Sequence, residues 1–319
     1  MNAEPSLEDI RQAHEKIEPF IHRTPVLTST TIDRMAGGRI FFKCENLQKA
    51  GAFKIRGACN AVFSLSDDEA KRGVATHSSG NHAAALALAA QWRGIPAHVV
   101  MPETAPRVKK LAVAGYGAEI VFCKPTLESR ERALAEVVAR TGAAVVHPYN
   151  DLRVITGQGT AAIELLDQVQ DLDLVLAPVG GGGLLSGTAI AVSLVSPKTA
   201  VIAAEPERAD DAYRSFKSGH IVPSVHPNTI ADGLLTSLGD LTFPIIRRHV
   251  RDIVLVSEEA IVEAMRCLWE RMKILVEPSA SVPLGAVLSR RLKVAGLRVG
   301  IILSGGNVDL DRLPWSSRG

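Results

Sequence analysis

An α/β fold with mostly parallel sheets is predicted by three observations. Short β-rich apolar runs alternate with longer helix-like segments, no internal repeat or low-complexity tract interrupts the alternation, and four consecutive glycines separate a strand-like stretch from a helix-like one. Residues 39–43 read as a strand and 57–65 as a helix. Residues 73–77 read as the next strand and 81–93, rich in alanine and leucine, as the next helix. The strand series continues at 97–101, 118–122, 174–177, 201–204, 253–256 and 299–303, with helical patterns between. Strands joined through helices return in the same direction, which makes the sheets parallel.

With 319 residues, 46% hydrophobic and 22% charged, the chain has apolar material for one large or two moderate domains. A net charge of +2 without a basic and aromatic stripe gives nucleic acid no field to bind. A small anionic metabolite is the expected partner. The first twenty residues lack the apolar core of a signal peptide, and apolar stretches elsewhere stop well short of the ~18 residues a membrane span needs. Neither export nor membrane insertion is expected. Cys44, Cys59, Cys123 and Cys267 lie far apart with no paired spacing, which fits small, reduced, buried side chains in the cytoplasm.

Two segments carry chemistry. Lys54 lies in Gly51-Ala52-Phe53-Lys54-Ile55-Arg56-Gly57, where an amine between a bulky ring and small residues loses water, drops in pKa and becomes fit to bond an aldehyde as an imine. Gly180, Gly181, Gly182 and Gly183 open a helix, offering bare N–H groups and the positive dipole end to a phosphate. An aldehyde and a phosphate in one molecule point to pyridoxal phosphate. A nicotinamide-binding turn stays open on spacing alone, because Glu205 lies about twenty residues downstream.

Six motifs in order then carry a resemblance: Lys43-Cys44-Glu45-Asn46, the segment from Gly51 through Ala58, Ser78-Ser79-Gly80-Asn81-His82, Gly157-Gln158-Gly159-Thr160, the four glycines, and Ser304-Gly305-Gly306-Asn307. The chain resembles the fold-type II pyridoxal-phosphate enzymes (tryptophan synthase β-like), and within them the serine/threonine dehydratases and serine racemase. That resemblance implies two domains, each a largely parallel sheet flanked by helices: a small one at 73–150 inserted in a large one made of 1–72 and 151–319. It also implies a homodimer. The chain stops soon after Asn307, which leaves no room for a C-terminal regulatory domain and implies a catabolic or racemase-like enzyme.

The resemblance also implies roles at matching positions. Lys54 holds the cofactor and removes the Cα proton, Phe53 packs beside the ring, and the glycines with the Leu184 amide bind phosphate. Asn81 bonds the 3′ oxygen, unless it merely caps the following helix. Ser304 faces the pyridine nitrogen; a neutral hydroxyl cannot protonate it, which favours expulsion of a β leaving group. Ser78, Ser79, Gly80, Asn81 and His82 form the substrate loop. Ser79 matches the racemase residue opposite the lysine, with carboxylate binding or helix capping as the alternative. Glu205, the Ala209 carbonyl and Asp211 match a divalent-cation site whose oxygen ligands suit Mg²⁺, Ca²⁺ or Mn²⁺; an acidic helix start would account for Asp210 and Asp211 but leaves Glu205 without a role.

The chain also departs from the pattern. Ala52 replaces a common serine, and Ala83-Ala84 replaces the Gly-Gln of the racemase's nucleotide site, although Tyr116 is retained. Glu277-Pro278-Ser279-Ala280-Ser281 lacks the glycine that usually closes its motif.

The implied reaction removes water from a β-hydroxy amino acid and ends in a 2-oxo acid and ammonia. L-Serine gives pyruvate, L-threonine 2-oxobutanoate and 3-hydroxyaspartate oxaloacetate. His147-Pro148-Tyr149-Asn150-Asp151 and the segments 209–215 and 305–315 resemble bacterial β-hydroxyaspartate dehydratases. Arg130 matches a position that reaches a second carboxylate, a task suited to a guanidinium fork, unless it is a solvated arginine of the 127–140 helix. A racemase and a non-catalytic pyridoxal-phosphate or amino-acid binding protein are the alternatives.

Overall fold

The computed structural model describes residues 4–78, 80–105 and 107–315. Ten strands are present among them: β1 (Val26–Leu27), β2 (Arg39–Cys44), β3 (Val74–His77), β4 (Ala97–Pro102), β5 (Glu119–Cys123), β6 (Ala144–Val145), β7 (Leu174–Pro178), β8 (Ala200–Pro206), β9 (Asp252–Val256) and β10 (Arg298–Leu303). Six form one sheet in the order β1-β2-β10-β7-β8-β9, and four form another in the order β5-β4-β3-β6. Every pairing is parallel except that of the two-residue β1 with β2. All eight expected strands are present. β1 and β6 escaped the sequence reading because two residues carry no periodicity.

The larger sheet is covered on both faces, which explains why its strands read as continuous apolar runs. Val175, Ala177, Val201 and Ile302 pack on one side with Ile155, Leu165, Leu185 and Ile190. Leu174, Leu176, Ile301 and Leu303 face the other, against Met265, Leu268 and Leu284. The alternation along β7 and β10 is the period-two rule of a strand with two buried faces. The smaller sheet packs helix Asn81–Arg93 through Ala85, Leu86 and Ala89 against Val74 and Ala97.

Helix Lys54–Phe63 lies against helix Leu152–Gln168 at a close crossing. A Cβ on Gly157 would meet the Arg56 carbonyl and the Gly57 Cα at 2.7 Å, so the contact requires glycine. Beneath it lies a buried charge network. Arg56 bonds Glu45 (2.7 Å) and Glu164 (2.8 Å), while Lys43 bonds Glu164 (2.6 Å), the Thr24 carbonyl (2.7 Å) and Gln168 (2.9 Å). Burial opposes the charge on Arg56, but Glu45 and Glu164 overrule it and hold its pKa above the ordinary value.

Candidate active site

Lys54 starts its helix right after the chain is stitched to the end of β10. Ala52 bridges to Gly305, and the Phe53 N–H donates to the Ser304 carbonyl at 3.0 Å. These bonds bring Lys54 and Ser304 to one place although they stand 250 positions apart in the chain. The Lys54 ammonium donates to the Pro148 carbonyl at 2.8 Å and lies 5.1 Å from the Phe53 ring centroid. Burial pulls its pKa down to about 8, with the Glu277 carboxylate working the other way. A fraction of the amine is therefore neutral near pH 7, as nucleophile or base work requires.

The four glycines follow β7 and lead into helix Gly183–Val195, with Gly182 at φ +89° as its N-cap. No side chain fits here. A Cβ would meet Leu234 Cα at 2.9 Å from Gly180, the Tyr149 ring at 2.3 Å from Gly181, Ile246 at 2.8 Å from Gly182 and Tyr149 Cα at 2.9 Å from Gly183. Among the described residues, the N–H groups of Gly181, Gly182, Gly183 and Leu184 find no backbone acceptor. A cradle of bare, unpaired N–H groups at a helix start fits a phosphate group.

Asn81 is the first residue of its helix, and Gly80 is the N-cap without a side-chain hydrogen bond, so Asn81 is not the cap. Its amide instead crosses to the other sheet's elements, donating to Glu277 at 2.9 and 3.1 Å and accepting from Asn307 at 3.0 Å. In the same loop the Gly80 N–H donates to the Ser78 hydroxyl at 3.3 Å. His82 is buried, its Nε2 3.1 Å from the Val146 carbonyl and its Nδ1 without a partner, and burial pushes its pKa down to about 3. It is a neutral imidazole at working pH. Ser79 lies outside the described residues.

Arg130 sits on helix Leu127–Thr141 and is only partly exposed. Its Nε is buried without a partner among the described residues, and its charge helps to depress His77, whose pKa is lowered first by burial. The position is therefore not a freely solvated one. His77 meets His147 edge-on at 6.0 Å, and His147 meets Tyr149 in the same way at 4.5 Å. Burial depresses His147 to about 4, so these imidazoles bring no positive charge of their own near neutral pH.

Glu205 and Asp211 come together at the end of β8. Glu205 accepts the N–H groups of Ala212 (2.8 Å) and Tyr213 (2.7 Å), which start helix Asp211–Ser218. It thus has a helix-start role that the sequence reading did not assign. Burial raises Glu205 to about 9 and Asp211 to about 6, the latter opposed by nearby Ser224. Ser224 lies close enough to ease the charge, but neither Asp211 carboxylate oxygen has a hydrogen bond of normal geometry among the described residues, and the Ala209 carbonyl accepts no backbone N–H among them. Among these residues there is no group of three or more His, Cys, Asp or Glu side chains placed to hold a metal.

The sequence reading noted Glu277 only as a departure and quoted Pro148, Tyr149 and Asn307 only within motifs. Nothing local marks them; their roles arise from contacts far along the chain.

The geometry agrees with what this chain is similar to. Residues 17–305 match the family described as pyridoxal-phosphate dependent enzyme. The chain is 55% identical to the β-hydroxyaspartate dehydratase of Paracoccus denitrificans, covering 98% of this chain and 99% of that one. The crystal structure of serine racemase from Dictyostelium discoideum superposes with a TM-score of 0.93 at 52% identity, over 97% and 100% of the two chains. The structure of maize serine racemase gives 0.95 at 48% identity, over 97% and 95%.

Proposed function

This chain belongs to the pyridoxal-phosphate-dependent enzyme family, and on that premise we propose that it is a dehydratase of β-hydroxy amino acids. It releases a 2-oxo acid and ammonia, with 3-hydroxyaspartate as the preferred substrate over L-serine and L-threonine. The observation that carries this reading is the half-buried Arg130 with an unpartnered Nε, together with 55% identity to a β-hydroxyaspartate dehydratase.

When bound, pyridoxal phosphate supplies an electron sink for negative charge at Cα. The glycine N–H groups and that of Leu184 hold its phosphate, Lys54 anchors it, Phe53 packs beside its ring, Asn81 donates to its 3′ oxygen and Ser304 offers a neutral hydroxyl to its ring nitrogen. Lys54 Nζ, set free when the substrate amine takes its place on the cofactor, would take the Cα proton. Ser78, Gly80 and the neighbouring Ser79 hold the α-carboxylate, and neutral His82 shapes the pocket without adding charge. Arg130 binds the distal carboxylate of a dicarboxylic substrate. The hydroxyl departs as water, and a water re-enters when ammonia is released, so atoms balance. Residues 73–150 act as a small domain that closes on the substrate and excludes bulk water.

A divalent cation, Mg²⁺, Ca²⁺ or Mn²⁺, is held by Glu205, Asp211 and the Ala209 carbonyl; the unpartnered Asp211 oxygens support it. We take the protein to be a cytoplasmic homodimer. Among the described residues no helix is long and apolar enough to cross a membrane.

Incubation with L-serine, D-serine, L-threonine and both 3-hydroxyaspartate diastereomers tests the reading. Oxo acid and ammonia are expected. Inverted amino acid would favour the second reading, a racemase, which the similarity to serine racemases keeps in view. Absence of both would leave a binding protein. Borohydride trapping should place the cofactor on Lys54, and Lys54→Ala should abolish both adduct and turnover; an adduct on another lysine refutes the assignment.

A further inference from the structure

Glu277 is 3% exposed, and the reaction described above gives it no task. It precedes helix Pro278–Leu288 as the N-cap residue, yet its carboxylate does not cap that helix. The side chain turns to Asn81, which contacts one of its oxygens at 2.9 Å and the other at 3.1 Å. The seat is shaped for it: a Cβ on Gly305 would lie 2.6 Å from the carboxylate. Among the described residues the charged groups around it are Lys54, Asp232 and Lys109, the last two paired with each other.

The hydrogen bonds here have a fixed direction. The Ala50 carbonyl can only accept, so Asn307 must turn its NH₂ toward it, which it does at 2.8 Å. The same NH₂ donates to the Asn81 amide oxygen at 3.0 Å, which leaves the Asn81 NH₂ facing Glu277. An ionised carboxylate also only accepts. Acceptors at both ends of the relay therefore fix which way the Asn81 amide points. The two carboxylate oxygens subtend too narrow an angle at Nδ2 to take one hydrogen each. They share one, and the second N–H is left for another acceptor.

We propose that Glu277 is a positioning residue of the cofactor pocket: by accepting from Asn81 across the two sheets, it presents the remaining Asn81 N–H as a donor to the cofactor's 3′ oxygen. This rests on the reading that Lys54 and Asn81 hold pyridoxal phosphate. Glutamine cannot replace the carboxylate. Both oxygens are in contact with Asn81 Nδ2, so either orientation of a glutamine sets one donor against another. Burial, assisted by Asp232, raises Glu277 to about 7, with Asn81, Lys109 and the Asn307 N–H opposing. The charge on the acceptor is therefore lost as the pH falls through that value, and one of its two oxygens becomes a donor.

The test uses Glu277→Gln in protein loaded with pyridoxal phosphate. Release of the cofactor into buffer containing an aldehyde scavenger is expected to quicken roughly ten- to a hundredfold, the worth of a hydrogen bond to a charged group. The pH at which the bound cofactor changes its visible absorbance should rise, because a phenolic oxygen that loses a donor holds protons more tightly. In an Asn81→Ala background the same substitution should change neither quantity, since the effect passes through Asn81. Gly305→Ala, which crowds the carboxylate without altering its charge, should speed release in the same direction and serves if the glutamine variant does not fold. Unchanged release and titration in Glu277→Gln or Gly305→Ala, or an undiminished effect without Asn81, overturns the proposal. Wild-type protein that gives no borohydride adduct on Lys54 instead overturns the cofactor reading itself.

Discussion

The buried charges beneath Lys54 and those at the end of β8 are made of similar residues and end in opposite states. Lys43, Arg56, Glu45 and Glu164 form two cations against two anions, each engaged by hydrogen bonds of 2.6–2.8 Å. Glu205 and Asp211 are two buried carboxylates in no ion pair among the described residues, Arg214 being paired with Asp210 and only easing the charge on Asp211, and burial raises the pKa of each. A low-dielectric interior accepts charges that are paired and penalises those that are not. The first group holds the lysine-bearing helix on its neighbour; the second either keeps a proton or takes the cation proposed above. Arg130, partly exposed but with a buried Nε that has no partner among the described residues, is the proposed counterpart of opposite sign.

The balanced set should fail hardest when broken. Arg56→Met leaves Glu45 and Glu164 buried without their guanidinium and should cost about 3–5 kcal/mol in urea unfolding. A loss below ~1 kcal/mol would mean the four do not act together.

The unbalanced pair should respond to pH and metal. Asp211 has a folded pKa raised from 3.8 to about 6, so the folded state holds its proton longer than the unfolded one. In metal-free protein, stability from this group is therefore greatest below pH 4 and falls as the pH rises to 6, by about 3 kcal/mol for a shift of this size. Addition of Mg²⁺, Ca²⁺ or Mn²⁺ at pH 7 should restore the loss, and chelation should lower the Tm of the native protein. Asp211→Ala should respond little to either treatment. Equal chelator effects on both proteins would remove the cation from this site.

Arg130 should show the smallest effect, confined to one substrate. Arg130→Ala is expected to lower kcat/KM for 3-hydroxyaspartate roughly ten- to a hundredfold and to affect L-serine much less, because only the dicarboxylate loses a charge-assisted contact. Equal losses on both substrates would assign Arg130 to the fold of its own helix.

These contrasts also mark what a sequence can disclose. Strand and helix order was readable because each core strand of the larger sheet is apolar on both faces, a local property of β7 or β10. The lowered pKa of Lys54 and the bare N–H groups of the glycine run were readable because each depends largely on immediate neighbours. Capping of the Asp211–Ser218 helix by Glu205 was not, since that bond depends on how the chain turns after β8. Glu277 was hidden for a stronger reason. Its partner Asn81 lies 196 residues away on an element of the other sheet, and no periodicity encodes such a meeting.

The sheet order has a consequence for the protein's synthesis. β10 lies between β2 and β7, so the larger sheet consists of two separate pieces until the last strand is made. The bonds that bring Lys54 to Ser304 belong to that same strand's end. A ribosome-bound chain that has not yet extruded β10 exposes two unpaired strand edges and has no assembled pocket. Pocket assembly thus waits for β10 to take its place between β2 and β7, and a nascent chain stalled before that strand would be a client for chaperones.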